Sequence, residues 1–298
     1  MTRLSGEAQV RRRVVVGARA IGVALLLALL STLPWCQVRA AAAEREARGG
    51  VGLQANPLSL QFRGSLGWKW HLFDSAKPFL RDAGVSAGVS EALTPAYSRT
   101  EAWVQVSPLS VLDLRAGAEF VGYFGTFGNL VGVPSYDSEF SDDAREPLES
   151  GAQSAVGGIF TVSPTLKFAA GRLAFRSSAA FEWWRVDGPP AYYYEPFRGT
   201  LLDPDGDSLV AVTTIALVDI SRDRSRRRQI GLYHDLLHVW DAPQNRRQRL
   251  GPVVSWWLGE RRFGLAEPTL LAGVLPYIEA PNRSGVSAIL AVSFQLSR

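Results

Sequence analysis

Cysteine and histidine are both scarce in this sequence. Cys36 is the single cysteine among 298 residues, so the chain cannot form an internal disulfide. It lies in an N-terminal segment that we expect to be removed, and without it the chain has no thiol nucleophile and no cysteine ligand for a metal. His71, His234 and His238 are the only imidazoles available for acid–base chemistry. Catalysis that depends on a thiol or an imidazole therefore has few candidate side chains.

The N-terminal segment has the composition of a secretory signal peptide. Three arginines at positions 11–13 precede an apolar stretch over residues 14–33, and alanines at 40–43 supply an A-x-A-type cleavage site. Arg19 interrupts the apolar stretch, which makes it short for a membrane span. We therefore expect residues 1–42 to be a cleaved signal peptide. A retained anchor helix and a lipoprotein attached at Cys36 are alternatives, and the bulky Trp35 disfavours the second.

Without residues 1–42, the chain carries no excess of positive charge. Residues 1–42 carry six arginines and one glutamate, a net charge of +5, whereas the whole chain carries +4. The remaining chain is therefore close to −1. Basicity gives no indication of nucleic-acid binding, and we expect no nucleic-acid partner.

Long apolar runs are also absent, because after residue 42 no stretch reaches the eighteen apolar residues typical of a membrane helix. The chain alternates instead. Over residues 58–72, apolar side chains occupy one set of alternate positions and mostly polar side chains occupy the other. Strands of soluble proteins usually have about 5–6 residues. A strand that crosses an outer membrane needs about 9–11 residues in the hydrocarbon, so this length favours a membrane strand.

The same alternation recurs further along, with apolar faces that include Leu114, Phe120, Phe181, Leu290 and Phe294. Lipid offers no partner for a backbone N–H, so strands cross a membrane only as a closed barrel. Over residues 58–298 the chain resembles porin-like Gram-negative outer-membrane β-barrels as a class. The resemblance implies an all-β, antiparallel transmembrane barrel in the cell outer membrane. Its implied partners are outer-membrane lipid, lipopolysaccharide and the barrel-assembly machinery.

We predict about ten strands, with twelve as the alternative. Residues 43–57 are expected to form a short periplasmic segment ahead of the barrel. We interpret residues 83–107 as one strand with a bulge at Pro95, because two strands there would place the long 126–151 link on the periplasmic side. The predicted strands cover residues 58–73, 83–107, 111–125, 152–170, 172–186, 208–220, 226–240, 246–259, 263–278 and 284–297. Inward faces are left unassigned at 208–220 and 263–278, where alternation is weak.

The polar faces of these strands predict the side chains that line the lumen. They are Arg63, Lys69, His71, Asp113, Arg115, Glu119, Arg176, Glu182 and Arg249. Both signs of charge occur, so two interpretations remain open: a plug of mutual salt bridges, or a narrow channel for a small solute with rings of charge. The sequence does not identify the solute.

The sequence contains no local motif that indicates catalysis. His234 and His238 are four residues apart, which on a strand separates them by about 13 Å, too far to bind one metal ion. They share a face with apolar residues that could meet lipid, and no cofactor is expected. A lipid hydrolase or protease with a site at the barrel rim is one alternative function. A secreted soluble β-sandwich that binds a ligand is another.

Two acidic segments are candidates for cation binding. Asp203, Asp205 and Asp207 resemble the start of a calcium loop, but Thr214 stands where the closing glutamate would fall, so we expect an ordinary turn and keep calcium as a weak alternative. The 126–151 link carries six carboxylates and one arginine. It is either a solvated loop, or a surface that bridges to lipopolysaccharide through divalent ions or attracts a cationic ligand.

Overall fold

The computed structural model describes residues 43–126, 130–188, 192–222, 227–262, 265–280 and 283–297, and the expected signal peptide lies outside these ranges. Twelve long strands form one antiparallel sheet, to which the short strand Arg261–Arg262 adds. The long strands are β1 (Glu44–Ala55), β2 (Ser59–His71), β3 (Gly84–Leu93), β4 (Tyr97–Leu109), β5 (Leu112–Phe124), β6 (Ser154–Ala170), β7 (Leu173–Asp187), β8 (Asp207–Asp219), β9 (Arg228–Val239), β10 (Arg247–Trp257), β11 (Leu265–Glu279) and β12 (Val286–Ser297).

The sheet closes on itself. Strand β1 pairs with β2 on one side and with β12 on the other, so that Val51 lies opposite both Phe62 and Val292. A closed ladder has no free edge, and this rules out the two facing sheets of a β-sandwich. The prediction of an all-β antiparallel barrel is confirmed, and the number of long strands is the alternative of twelve.

The first strand was missing from the prediction. Residues 43–57 are not a separate periplasmic segment, since Glu44–Ala55 forms the strand that closes the barrel. Glycines at 49, 50 and 52 and charges at 44–46 and 48 hide the alternation of this strand. Its identity as a strand comes from the two neighbours with which it pairs.

The segment 83–107 is two strands and not one bulged strand. Pro95 lies in the turn between β3 and β4, where the Thr94 hydroxyl accepts hydrogen bonds from the N–H groups of Ala96 and Tyr97, at 3.1 and 3.0 Å. The apolar face changes from odd to even positions across this turn because the chain reverses direction. A hairpin therefore explains the switch that the sequence suggested was a bulge.

Successive links lie at opposite ends of the barrel, because every pairing is antiparallel. We call one end the loop end; it carries the links 56–58, 94–96, 125–153, 188–206, 240–246 and 280–285. The other, the terminal end, carries residue 43, the end of β12, and the links 72–83, 110–111, 171–172, 220–227 and 258–264. The two longest links thus share one end. The 171–172 link is tight, and Gly171 adopts a φ of +58° there, which favours glycine.

The outward face of the barrel is apolar. Large side chains such as Phe62, Val104, Phe120, Leu232 and Leu290 are exposed on it, on strands that lie all around the barrel. A soluble protein rarely leaves so continuous an apolar surface uncovered, whereas a lipid-facing wall requires one. The chain is a transmembrane β-barrel. Among the described residues, no helix is long and apolar enough to cross a membrane.

The buried core lies inside the loop-end half of the barrel. Wall residues such as Trp184, Leu209 and Leu237 pack there against side chains from the long links, including Leu130, Tyr193 and Leu202. The two long links therefore fold into the barrel instead of extending away from it.

Candidate functional site

A hairpin from the 188–206 link fills the loop-end half of the lumen. Tyr192–Glu195 pairs with Thr200–Leu202 on one side and with Gly132–Val133 on the other, as a three-stranded sheet separate from the barrel sheet. Residues 192–202 are called the plug hairpin below. Tyr193, Leu201 and Leu202 are fully buried. The plug hairpin is therefore a packed body inside the barrel that shares no backbone ladder with its wall.

The turn of the plug hairpin is shaped by one carboxylate and one glycine. The buried Glu195 accepts hydrogen bonds from the N–H of Phe197, at 3.0 Å, from the N–H of Arg198, and from the hydroxyl of Tyr123, at 3.1 Å. Gly199 has a φ of +62° and donates its N–H to the Glu195 carbonyl at 2.8 Å. Burial raises the pKa of the Glu195 carboxyl, although these donors and the nearby Arg99 oppose the shift. The turn thereby holds Phe197 and Arg198 at the tip.

The tip makes its contacts with charged side chains of the wall. Arg198 forms a bidentate pair with Glu182, with the Nε–Oε2 bond at 3.0 Å, and Trp184 donates its Nε1–H to the same carboxylate at 2.9 Å. The Arg99 guanidinium lies 3.8 Å from the centre of the Phe197 ring, within cation–π range. Arg247 donates to the carbonyl of Arg198. Ion pairs and ring contacts thus seat the tip.

The wall around the tip is lined by further ion pairs. Arg99 donates from Nε and Nη2 to one oxygen of Glu119, at 2.9 and 2.5 Å. Arg115 pairs with Glu101 on the neighbouring strand and lies 4.4 Å from the centre of the Trp103 ring. Paired guanidiniums of this kind bring matched charge into the lumen, so much of this wall is electrically balanced.

Two other groups of charged side chains lie on either side of the plug tip, one towards the loop end of the barrel and one towards the terminal end. At the loop end, Asp235 accepts from Arg247 at 3.2 Å and from Arg249 at 3.1 Å. At the terminal end, Asp113 accepts from Lys167 and from Ser107, both at 2.7 Å. The lumen therefore holds charge pairs along most of its length.

The outer surface of the plug is attached to two links. The guanidinium of Arg145 lies 3.9 Å from the centre of the Tyr194 ring. The Tyr194 hydroxyl accepts a hydrogen bond from Arg283 at 2.9 Å. Asp142 joins both arginines, with the Arg283 bond at 3.1 Å. Burial would raise the pKa of Asp142, but Arg283 and Arg145 outweigh it and hold that pKa below its ordinary value. This cluster ties the plug to the links 125–153 and 280–285.

A cavity of about 480 Å³ lies inside the barrel beside the plug tip. Its arginines are Arg48, Arg63, Arg99, Arg115 and Arg198. Its inward carboxylates are Glu101, Glu119 and Glu182. Glu91 also borders the cavity, but its side chain lies on the outward face, where it accepts from Ser98 and Thr100. Positive groups therefore outnumber inward negative groups on the cavity wall.

The nine residues predicted to line the lumen all occupy inward-facing positions of their strands. Arg63, Arg115, Glu119 and Glu182 border the cavity. Asp113 belongs to the charged group at the terminal end, and Arg249 belongs to the charged group at the loop end. Lys69, His71 and Arg176 lie towards the terminal end, where Arg176 is exposed and His71 is 3.5 Å from Glu44.

Sequence reasoning missed Arg99, Glu101, Arg198, Asp235 and Arg247. Arg99 and Glu101 follow the alternation of β4, and the sequence could have indicated them if β4 had been separated from β3. Arg198 had no such signal, because it enters the lumen from a link and not from a strand.

The residues considered for metal binding and catalysis are placed elsewhere. Asp203 accepts from the N–H of Asp205 in a turn, and Asp207 accepts from the Tyr136 hydroxyl at 2.8 Å. Within the described ranges, no three histidine, cysteine or acidic side chains are grouped to hold a metal ion. His234 faces outward and contacts Gln248, and His238 faces outward beside Trp240.

No protein family matches the chain, and no curated protein does either. Among solved structures, it is similar to the β domain of the Bordetella autotransporter BrkA, at 13% identity and a TM-score of 0.40 over 86% of this chain and 99% of that one. It is also similar to the NanC porin, at 9% identity and 0.39 over 85% and 100%. A third is the Pseudomonas putida toluene transporter TodX, at 9% identity and 0.34 over 90% and 93%. At these scores the assignment of the barrel rests on the strand pairing of the chain itself.

Proposed function

We propose that this protein is a narrow channel of the cell outer membrane for small solutes, closed at its loop end by the plug hairpin. The observation that carries the proposal is the separate sheet of the plug. Because residues 192–202 share no ladder with the wall, they can leave the lumen without breaking a hydrogen bond between barrel strands, although the side-chain bonds from Tyr123 and Arg247 are lost. Leaving costs the ion pairs of the tip and the apolar packing of the hairpin.

The size of the barrel supports this proposal. Barrels of about eight strands are filled by their own side chains, whereas those of 16–18 strands enclose an aqueous channel. Twelve strands lie between these cases, and here the space is shared by a hairpin and a cavity of about 480 Å³. Without the hairpin, the loop-end half would be open to a small solute.

The orientation follows from the links. Outer-membrane barrels have short periplasmic turns and longer extracellular loops. The longest links, 125–153 and 188–206, share the loop end, so that end faces outward from the cell and the terminal end faces the periplasm. The plug then closes the external mouth, where it meets lipopolysaccharide-bearing membrane and incoming solute.

The geometry favours this function over a rim enzyme. His234 and His238 face the lipid side of the wall. His71 has a carboxylate partner in Glu44, but both side chains are open to solvent at the terminal end. A hydrolase of the Ser–His type needs a histidine beside a nucleophile in a cleft, and none of these three histidines provides that arrangement.

Planar-bilayer conductance tests the proposal. We expect the wild type to be silent or nearly so, and a variant with residues 193–201 replaced by a short Gly-Ser link to give discrete conductance steps. Arg176→Gln is the matched control, because Arg176 lies at the terminal end away from the plug. Heat-modifiable migration on gels shows that each variant is folded. A folded plugless barrel that stays silent contradicts the channel.

A further inference from the structure

We propose that the cavity beside the plug tip binds a small organic anion, with Arg63 as the residue that holds its carboxylate or phosphate group. The identity of this anion as cargo rests on the proposed channel function, whereas its binding does not. The argument starts from the pairing of the cavity arginines.

Arg63 differs from the other inward arginines of the strands around the cavity. The Nε of Arg63 donates to the amide oxygen of Gln61. The Gln61 amide is held in place because its Nε2 donates to the Tyr97 hydroxyl at 3.1 Å. The two terminal nitrogens of Arg63 have no hydrogen-bond partner among the described residues, and no carboxylate there pairs with it. Its side chain is exposed even though it points into the lumen, so it faces the open space of the cavity.

The neighbouring guanidiniums are already neutralised. Arg99, Arg115 and Arg198 each have a glutamate partner on the wall, and Arg48 pairs with Glu46 on its own strand at 3.1 Å. Arg63 and Arg99 lie 5.8 and 3.8 Å from the centre of the same Phe197 ring, so the unpaired charge stands close to another positive group. Arg99 also keeps one buried donor, Nη1, that no described residue satisfies. The pocket therefore has one uncompensated positive charge and, in the terminal nitrogens of Arg63, unused donors; Arg99 Nη1 is closed off from solvent and does not face the open space.

An anion corrects this imbalance. Because Arg63 faces the open space of the cavity, the gain from an anion is the charge-assisted hydrogen bonds that the two free terminal nitrogens would make to it, and the screening of the nearby Arg99 charge. The planar fork of a guanidinium matches the two oxygens of a carboxylate or phosphate, and Gln61 fixes the Arg63 side chain through Nε so that the fork remains free. The geometry points to an oxyanion bound head-on to Arg63.

The cavity also limits the body of the ligand. A volume of about 480 Å³ is within the range of small-molecule sites. Ser65 and Ser90 border it on one part, where the Ser90 hydroxyl already donates to Glu101 at 2.7 Å, and Ala92, Ala180 and Phe197 border it on another. A compact organic acid with both hydroxyl and apolar surface fits this lining better than a bare inorganic ion.

Binding is measured on the purified barrel in detergent, by calorimetry and by the shift in unfolding temperature. The probes are benzoate, glucuronate and glycerol phosphate, with benzamide and glucose as neutral counterparts. We expect at least one of the acids to bind and the neutral compounds to bind at least tenfold more weakly. Arg63→Gln should lower the affinity for that acid at least tenfold, and Arg176→Gln should leave it unchanged.

A second readout separates a binding role from a structural one. Because Arg63 has no carboxylate partner to strand, Arg63→Gln should unfold at the same temperature as the wild type or higher when no anion is present. The acid should then raise the unfolding temperature of the wild type and not of Arg63→Gln. Equal binding of acids and neutral compounds, no binding of any acid, or unchanged affinity in Arg63→Gln overturns the site.

The two proposals fail separately. Acid binding together with a silent plugless barrel contradicts the channel and supports the anion site. Conductance without acid binding supports the channel and contradicts the anion site. If both hold, Arg63→Gln in the plugless barrel should shift the reversal potential towards cations, because it removes a positive group from the path.

Discussion

In the loop-end half of the lumen, Trp184, Tyr193 and Leu202 are as buried as the core of a soluble domain, whereas in the terminal-end half Lys167 and Arg176 remain open to solvent. The first half is packed because a hairpin enters it. Among the described residues, the second shows only the wall and its ion pairs. Stability of the plug and stability of the wall are therefore separate quantities, and substitutions should affect one without the other.

The largest effect is expected from Glu182→Gln. It leaves Arg198 buried without its carboxylate, and breaking a buried pair in this way costs about 3–5 kcal/mol. We expect the plug tip to become accessible to limited proteolysis while the wall keeps its gel mobility when unheated. Full protection of residues 192–202 in this variant would show that the ion pair does not seat the plug.

Asp113→Asn is the matched change in the terminal half. Its partner Lys167 is 40% exposed, so the loss should be no more than about 1 kcal/mol. The double variant Glu182→Gln/Arg198→Gln should recover much of the stability lost in Glu182→Gln, because it removes the stranded charge as well. An equal loss in Asp113→Asn and Glu182→Gln would erase the difference between the halves.

The next largest effect is expected from truncating apolar side chains, one in the plug hairpin and one in the wall. Leu202→Ala removes a fully buried side chain of the plug hairpin, and core truncations of this kind cost about 2–5 kcal/mol. Leu217→Ala changes an inward but half-buried leucine of β8 near the terminal end, so we expect a smaller loss. Urea titration followed by tryptophan fluorescence measures both. A larger loss at Leu217 would mean that the plug does not act as a core.

The smallest effect concerns pH at the outer cluster. The pKa of Asp142 is depressed, so its contribution to plug attachment is complete above its unfolded-state pKa of about 4 and is lost as pH falls through its folded-state value. Asp142→Asn should abolish this loss below about pH 4, at a lower starting stability. Because Asp142 is 58% exposed, the change should be no more than about 1 kcal/mol.

The exposed neighbour Asp143 supplies the control for this measurement. Unfolding temperatures of Asp142→Asn, Asp143→Asn and the wild type are compared from about pH 6 down to about pH 2.5, across the range in which carboxyls titrate. We expect Asp143→Asn to follow the wild type. Identical acid profiles for wild type and Asp142→Asn would show that the pair with Arg283 does not stabilise the plug.

Alternation in the sequence predicted the faces of strands that separate lipid from polar lumen. In β5, Leu114 and Phe120 face outward while Asp113 and Glu119 face inward, as their spacing indicates. The rule failed in β1, whose glycines give no alternation. Missing β1 and joining β3 to β4 each removed one strand from the count, so the two errors together left the count even and the long 126–151 link was still placed on the side away from the periplasm.

The weak alternation of β8 and β11 has a physical cause. Their inward residues include Leu209, Ala211 and Leu275, all buried, so both faces of these strands are apolar. Leu209 and Ala211 belong to the core that the plug completes. No pattern within one strand reveals that a distant link covers its inner face, and for the same reason Arg198 could not be predicted as a lumen residue.

The separate sheet of the plug has an evolutionary consequence. If residues 192–202 close a channel as proposed, the width of its opening depends on the connection between β7 and β8, and the strand number stays constant when that connection changes. A few residues inserted or removed there would then convert a sealed barrel into an open one without touching a membrane-facing side chain. Barrels with the same twelve strands would differ in permeability, and selection would adjust uptake without re-optimising assembly of the wall.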